Sequence, residues 1–156
     1  MRYQRASGRV KPSPCLGGTQ MRLIIAGSRD VVDYYVMCAC WRQYAYRDSV
    51  TEIISGGARG VDSLAIRLAN DLDIPLTIMA ANWAMHGRRA GYKRNAEMAD
   101  YGHSVLAIWD HQSPGTKHMI DIADNQGLYV EIYNAHGVCT SRSSGDAIAT
   151  LLEMIP

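Results

Sequence analysis

Five short apolar runs, each followed by a polar segment with helical periodicity, constrain this chain more than any other feature. They occupy residues 21–26, 51–54, 74–80, 104–109 and 127–133. Runs of this length between turn residues read as buried strands. After the second run, Val61, Leu64, Ala65, Leu68, Ala69 and Leu72 recur at the spacing of one helical face. Further helices are expected over 32–46, from the polar segment after residue 82 to about 101, over 117–125 and over 145–155. Strands alternating with helices build a parallel sheet covered on both faces. The expected fold is a single α/β domain over 21–156 with a mostly parallel five-stranded sheet. Right-handed crossovers then put every strand-to-helix turn at one edge of that sheet.

The turns therefore carry the functional argument. In the second, Ser55-Gly56-Gly57-Ala58-Arg59-Gly60-Val61-Asp62 joins a strand directly to a helix. Glycines permit positive φ and close backbone approach. The new helix aims its positive end at the turn, and Arg59 adds a forked cation suited to phosphate. The turn reads as an anion cradle or as plain strand-to-helix punctuation. The other turns repeat the arrangement with Gly27, Ser28, Arg29 and Asp30, with the basic stretch containing Arg88, Arg89, Lys93, Arg94 and Asn95, and with Ser113, Gly115 and Thr116. Topology brings these residues together, which favours a site for an anionic ligand. Asp30 and Asp62 suit a ribose hydroxyl or a metal ion, and Asp62 equally suits the start of its helix. Trp83 suits stacking on a base or plugging the loop.

Composition narrows the classes. A chain of 156 residues with 47% hydrophobic and 20% charged residues has the make-up of one globular domain. No run is long and apolar enough to span a membrane. Cys15, Cys38, Cys40 and Cys139 lack metal-ligand spacing and read as reduced thiols of a cytoplasmic protein. Residues 1–20 carry Arg2, Arg5, Arg9 and Lys11 without an acid and without apolar periodicity. They read as a disordered basic extension, with Met21 a candidate start. Of the 16 bases and 15 acids, this leaves 12 bases against 15 acids in the body. A mildly acidic body argues against broad duplex binding. The Tyr- and Trp41-containing helix over 32–46 suits internal packing or a homodimer interface.

The chain resembles a small member of the SLOG superfamily, nearest its YspA/YpsA-related branch. The resemblance covers about residues 21–133. It rests on Gly27-Ser28-Arg29, on Gly56-Gly57-Ala58-Arg59-Gly60-Val61-Asp62, on Gly87, Ala90-Gly91, Arg94-Asn95 and Met98, and on Ser113-Pro114-Gly115-Thr116. It implies a Rossmann-like sheet that binds a nucleotide or a nucleotide-derived ligand of the NAD or ADP-ribose kind. It also implies a sensor or sequestering role associated with phage or defence systems. Two related groups imply rival functions. The turn over 55–62 is similar to that of DprA, a single-stranded DNA binder. The LOG phosphoribohydrolases carry a Pro-Gly-Gly-X-Gly-Thr-X-X-Glu motif, whose catalytic glutamate falls on Met119 here.

No complete catalytic set is evident, so catalytic residues stay unassigned. There is no zinc spacing among the histidines, no Gly-X-Ser-X-Gly elbow and no Walker lysine. His86, His111 and His118 fall near the expected site without an evident partner. The leading expectation is a non-catalytic nucleotide-binding module with no metal and no membrane partner. A nucleotide N-glycosidase and a single-stranded nucleic-acid binder are the alternatives.

Overall fold

The structure, a computed structural model, describes residues 3–5 and 20–143. The expected helix over 145–155 and most of the N-terminal extension lie outside the described residues. The elements run β1 (Tyr3–Arg5), β2 (Arg22–Gly27), α1 (Tyr34–Gln43), β3 (Glu52–Ser55), α2 (Val61–Asp71), β4 (Leu76–Met79), α3 (Trp83–His86), α4 (Ala90–Tyr101), β5 (Ser104–Ile108), α5 (Pro114–Asn125), β6 (Tyr129–Tyr133) and β7 (Cys139–Arg142). They form one sheet of order β1-β4-β3-β2-β5-β6-β7.

The five expected strands are its centre, β4-β3-β2-β5-β6, and all pair in parallel. Each carries apolar residues on both faces. Leu23, Ile25, Ile53, Leu106 and Ile108 pack with α1 and α2 through Met37, Cys40, Val61, Leu64 and Leu68. Ile24, Ala26, Ile54, Val105 and Ala107 pack with α4 and α5 through Met98, Ala99, Met119 and Ala123. A strand buried on both faces cannot show polar alternation, which is why these segments read as continuous apolar runs.

The sheet is mixed rather than five-stranded, because an antiparallel strand closes each edge. β7 pairs with β6 inside what reads from sequence as a polar link. It is largely exposed, so it carries no hydrophobic alternation to reveal it. β1 pairs with β4, so part of the extension expected to be disordered is a strand. Pairing at an open edge uses backbone groups and needs no side-chain pattern. The first helix is shorter than expected, ending at Gln43, where Tyr44 turns extended. The segment after residue 82 is a four-residue helix, a 3-10 turn and then α4.

Strand β6 also buries a charge. Glu131 is fully buried, and its Oε1 accepts from Tyr129 Oη (2.7 Å) and Ala45 N (3.0 Å). Tyr133 Oη donates to Oε2, and Arg142 Nε lies 3.2 Å from Oε1. The carboxylate thus joins β6, β7 and the chain after α1. Burying it is tolerable because both oxygens are satisfied. Trp41 stacks on Tyr44 at 6.4 Å, so that indole serves internal packing. Glu131→Ala strands two phenol hydroxyls, one N–H and one cation, and should lower unfolding free energy by about 3 kcal/mol. Urea denaturation measures this, and a loss under about 1 kcal/mol would mean that solvent replaces the carboxylate readily.

Candidate functional site

In the parallel part of the sheet, chain order reverses between β2 and β5. Ligands in open α/β sheets collect outside the strand C-termini at such a switch point. A cleft of about 220 Å³ lies there. Its floor is Ala26 and Gly27 at the end of β2. One wall is the start of α5, with Ser113, Gly115, Thr116 and Met119. The facing wall comes from α3, α4 and the turn between them, and Ala58 and Asp62 close a third side. Arg29, Arg88 and Arg94 supply positive charge.

Sequence spacing explains the α4 wall. Arg88, Gly91, Tyr92, Asn95 and Met98 recur every three or four residues and all line the cleft. Asn95 is buried and bridges to α5, its Nδ2 donating to Gly115 O at 3.1 Å. Arg94 reaches across to the second turn, where its Nη1 donates to Gly56 O at 2.7 Å. Its Nε donates to Asn95 Oδ1 at 3.1 Å. A Cβ on Gly56 would collide with the Arg94 guanidinium and lie 2.7 Å from Asp62 Oδ2. Gly56 is therefore the space in which this arginine and this aspartate meet the backbone.

The glycine turn itself is mostly spent on its own structure. Gly57 N donates to Ser55 Oγ (3.2 Å), Ala58 N to Asp62 Oδ2 (3.1 Å) and Val61 N to Ser28 O (3.3 Å). Gly57 and Gly60 have φ of 73° and 75°, which explains both glycines. A Cβ on Gly60 would also overlap the Arg29 backbone. Of the expected residues in this turn, Ala58 and Asp62 line the cleft, while Gly56, Gly57, Arg59 and Gly60 stand behind it or outside. Arg59 is 75% exposed and pairs at 3.3 Å with Asp30, itself 86% exposed. Ser28 is buried and structural: its N donates to Ile108 O, and its Oγ accepts from Asp110 N.

The first turn of α5 leaves backbone donors open. This helix begins at Pro114, earlier than expected, so Gly115 and Thr116 are its first turn rather than the loop before it. Ser113 does not cap it through its side chain; its Oγ accepts from Thr116 Oγ1 at 3.1 Å. The N–H groups of Gly115 and Thr116 thus lack intrahelical acceptors. Asp110 fixes the approach, its Oδ1 accepting from Ser113 N (2.8 Å) and Gln112 N (2.9 Å), which holds its carboxyl below the ordinary range. A Cβ at Gly115 would meet nothing.

Tyr92, Met98 and Met119 complete the lining. The resemblance points to Met98, and Met119 stands at the LOG glutamate position, whereas no motif singles out Tyr92. Among the histidines, His118 is pressed against Tyr92 at 4.4 Å and its Nδ1 is 3.2 Å from Asn95 Nδ2. Burial lowers its pKa. His111 packs on Trp109, and His86 Nε2 contacts Lys93 Nζ at 3.1 Å. None of the three lines the cleft. Among the described residues, no group of His, Cys, Asp and Glu is placed to hold a metal ion.

Comparison with known proteins finds a phage relative. The Gene 61 protein of Mycobacterium phage D29 is 32% identical over 116 residues, covering 70% of this chain and 93% of the relative. No protein-family model and no solved structure matches the chain at a significant level. Among the described residues, no helix is long and apolar enough to cross a membrane.

Asp62 gives the cleft a measurable signature. Burial pushes its carboxyl up to about 6, against the opposing pull of Arg94, of the Ala58 N–H and of Arg29. Burial also lowers the pKa of Arg94. An unfolded aspartate titrates near ~3.9. Between those values the folded state keeps the proton and the unfolded state has lost it. The Asp62 contribution therefore favours folding most below about pH 4, declines as pH rises to about 6 and is flat above, a change of about 2–3 kcal/mol. Asp62→Asn retains an acceptor for Ala58 N and should remove that slope. Urea denaturation at intervals from pH 4 to 7 tests it, and parallel profiles for the two proteins would show that Asp62 titrates normally.

Proposed function

We propose that this chain, which belongs to the family of the Gene 61 protein of Mycobacterium phage D29, binds a nucleotide or nucleotide-derived ligand at the β2/β5 cleft. The role is that of a SLOG-type sensor or sequestering module. One observation carries the reading: three arginines converge with the uncapped start of α5 on a single cleft. Arg29 offers a forked donor, Arg94 adds its charge while its Nε and Nη1 hold Asn95 and Gly56, and Gly115 and Thr116 offer backbone donors at the positive end of a helix. Ligands of the NAD or ADP-ribose kind carry the phosphates that such a set accepts.

Hydrolysis of an N-glycosidic bond finds less support. Glycosidic cleavage ordinarily employs a pair of carboxyl groups. Here Asp62 is the carboxylate in the lining, and Met119 occupies the position of the LOG glutamate. A thioether can neither accept the proton nor stabilise the developing cation. Release of free base from AMP or NAD, measured against a protein-free blank, would restore that reading.

Native mass spectrometry of the protein purified without added ligand is the direct test, followed by denaturation and identification of what is released. A stoichiometric nucleotide mass is the expected result. Arg29→Ala should then weaken calorimetric binding of that nucleotide by about 1.5–3 kcal/mol, the scale of a charge-assisted hydrogen bond, without changing thermal stability. Arg59→Ala, outside the cleft, should leave affinity within about two-fold. The reverse ranking would move the phosphate site from the α5 cleft to the glycine turn.

A further inference from the structure

The cleft lining carries two chemically different sets of groups. One is cationic, with Arg29, Arg94 and the start of α5. The other is aromatic, with Trp83 and Tyr92. Single exposed aromatics are ordinary. These two come from one short segment, line the same cleft and remain 52% and 45% exposed.

Both rings are braced on one side only. Asn82 caps α3 by accepting from Met85 N at 3.0 Å, which sets the start of the helix carrying Trp83. The indole rests on Gly91: its Cη2 lies 3.4 Å from where a Cβ at that position would be. A Cβ at Gly91 would meet the indole edge in ordinary van der Waals contact, so the ring lies against α4 at this point. Tyr92 is held edge-on by His118, with ring centroids 4.4 Å apart and planes at 77°. A tryptophan that merely plugged the loop would be covered. Here a fixed aromatic surface is left open beside a set of anion donors. Bases stack on such surfaces with little regard for base identity.

We propose that Trp83 and Tyr92 form the base-binding wall of this cleft. The ligand then lies with its phosphate toward Arg94 and the start of α5, and with its base against the indole. This rests on the nucleotide reading above and narrows it. The cleft selects a base-bearing phosphate over a sugar phosphate without the base.

Calorimetry of the full chain with two probes, AMP and ribose 5-phosphate, tests the assignment. The probes share phosphate and ribose and differ by the base. The wild-type protein should bind AMP about ten-fold or more tightly than ribose 5-phosphate. Trp83→Ala should bring AMP down to the level of ribose 5-phosphate and leave ribose 5-phosphate unchanged. Trp83→Phe should keep most of the difference, which separates stacking from a folding defect. Equal affinity of the wild type for both probes, or an equal loss of both in Trp83→Ala, would overturn the base wall and leave the anion cleft standing. A wild-type protein that binds neither probe would overturn the nucleotide reading and the base wall together.

Discussion

Ser28 is the knot on which the cleft-bearing edge of this domain depends. Its N–H bonds the end of β5 at Ile108 O, and its carbonyl accepts from Val31 N and from Val61 N at the start of α2. Its hydroxyl accepts from Asp110 N as the chain leaves β5. One buried residue therefore ties together three turns that are far apart in sequence. Gly27 and Gly60 make the knot possible. A Cβ on Gly27 would meet Ile108 O and the Val61 side chain, and one on Gly60 would meet the Arg29 backbone. In a close-packed interior such overlaps cannot be absorbed cheaply.

That knot also decides which polar groups remain for a ligand. A backbone N–H that already has a partner gains little from a phosphate. The glycine turn commits Gly57, Ala58 and Val61 internally, whereas the first turn of α5 has no side-chain cap. The donors left open in the cleft lining thus include those of the turn whose sequence is less conspicuous. Asp62 contributes the opposite charge. It holds the Ala58 amide and faces Arg94 across Gly56, so the cleft carries a balanced pair and further positive charge from Arg29 and Arg88. A buried carboxyl near arginine also keeps the guanidinium from being an isolated charge in a partly dry site.

The aromatic side gives the cleft a direction. Phosphate recognition by arginine and helix start would accept many anions. The proposed base wall, a braced indole and phenol, would restrict the ligand to one with both charge and a flat apolar group. The cleft sits on a scaffold of five central parallel strands, with antiparallel strands at both edges shielding backbone that would otherwise invite pairing.

The chain by itself determined the central sheet, because a strand buried on both faces must be continuously apolar, and 23–26, 53–54 and 105–108 satisfy that requirement. It also determined that the strand-to-helix turns meet at one edge, because parallel crossovers have one hand. Of the expected site residues, Gly27, Arg29, Ala58, Asp62, Arg88, Arg94, Asn95, Ser113, Gly115 and Thr116 line the cleft. Sequence could not separate these from Ser28, Gly56, Gly57, Arg59 and Gly60, since a residue that touches a ligand and a residue that builds the turn use the same side chains. Nor could it show β7 or β1, because pairing at a sheet edge needs no hydrophobic pattern. Only the tertiary structure decided those roles, because they depend on which donors are already satisfied and which surfaces are already covered. Both are properties of contacts between segments distant in the chain.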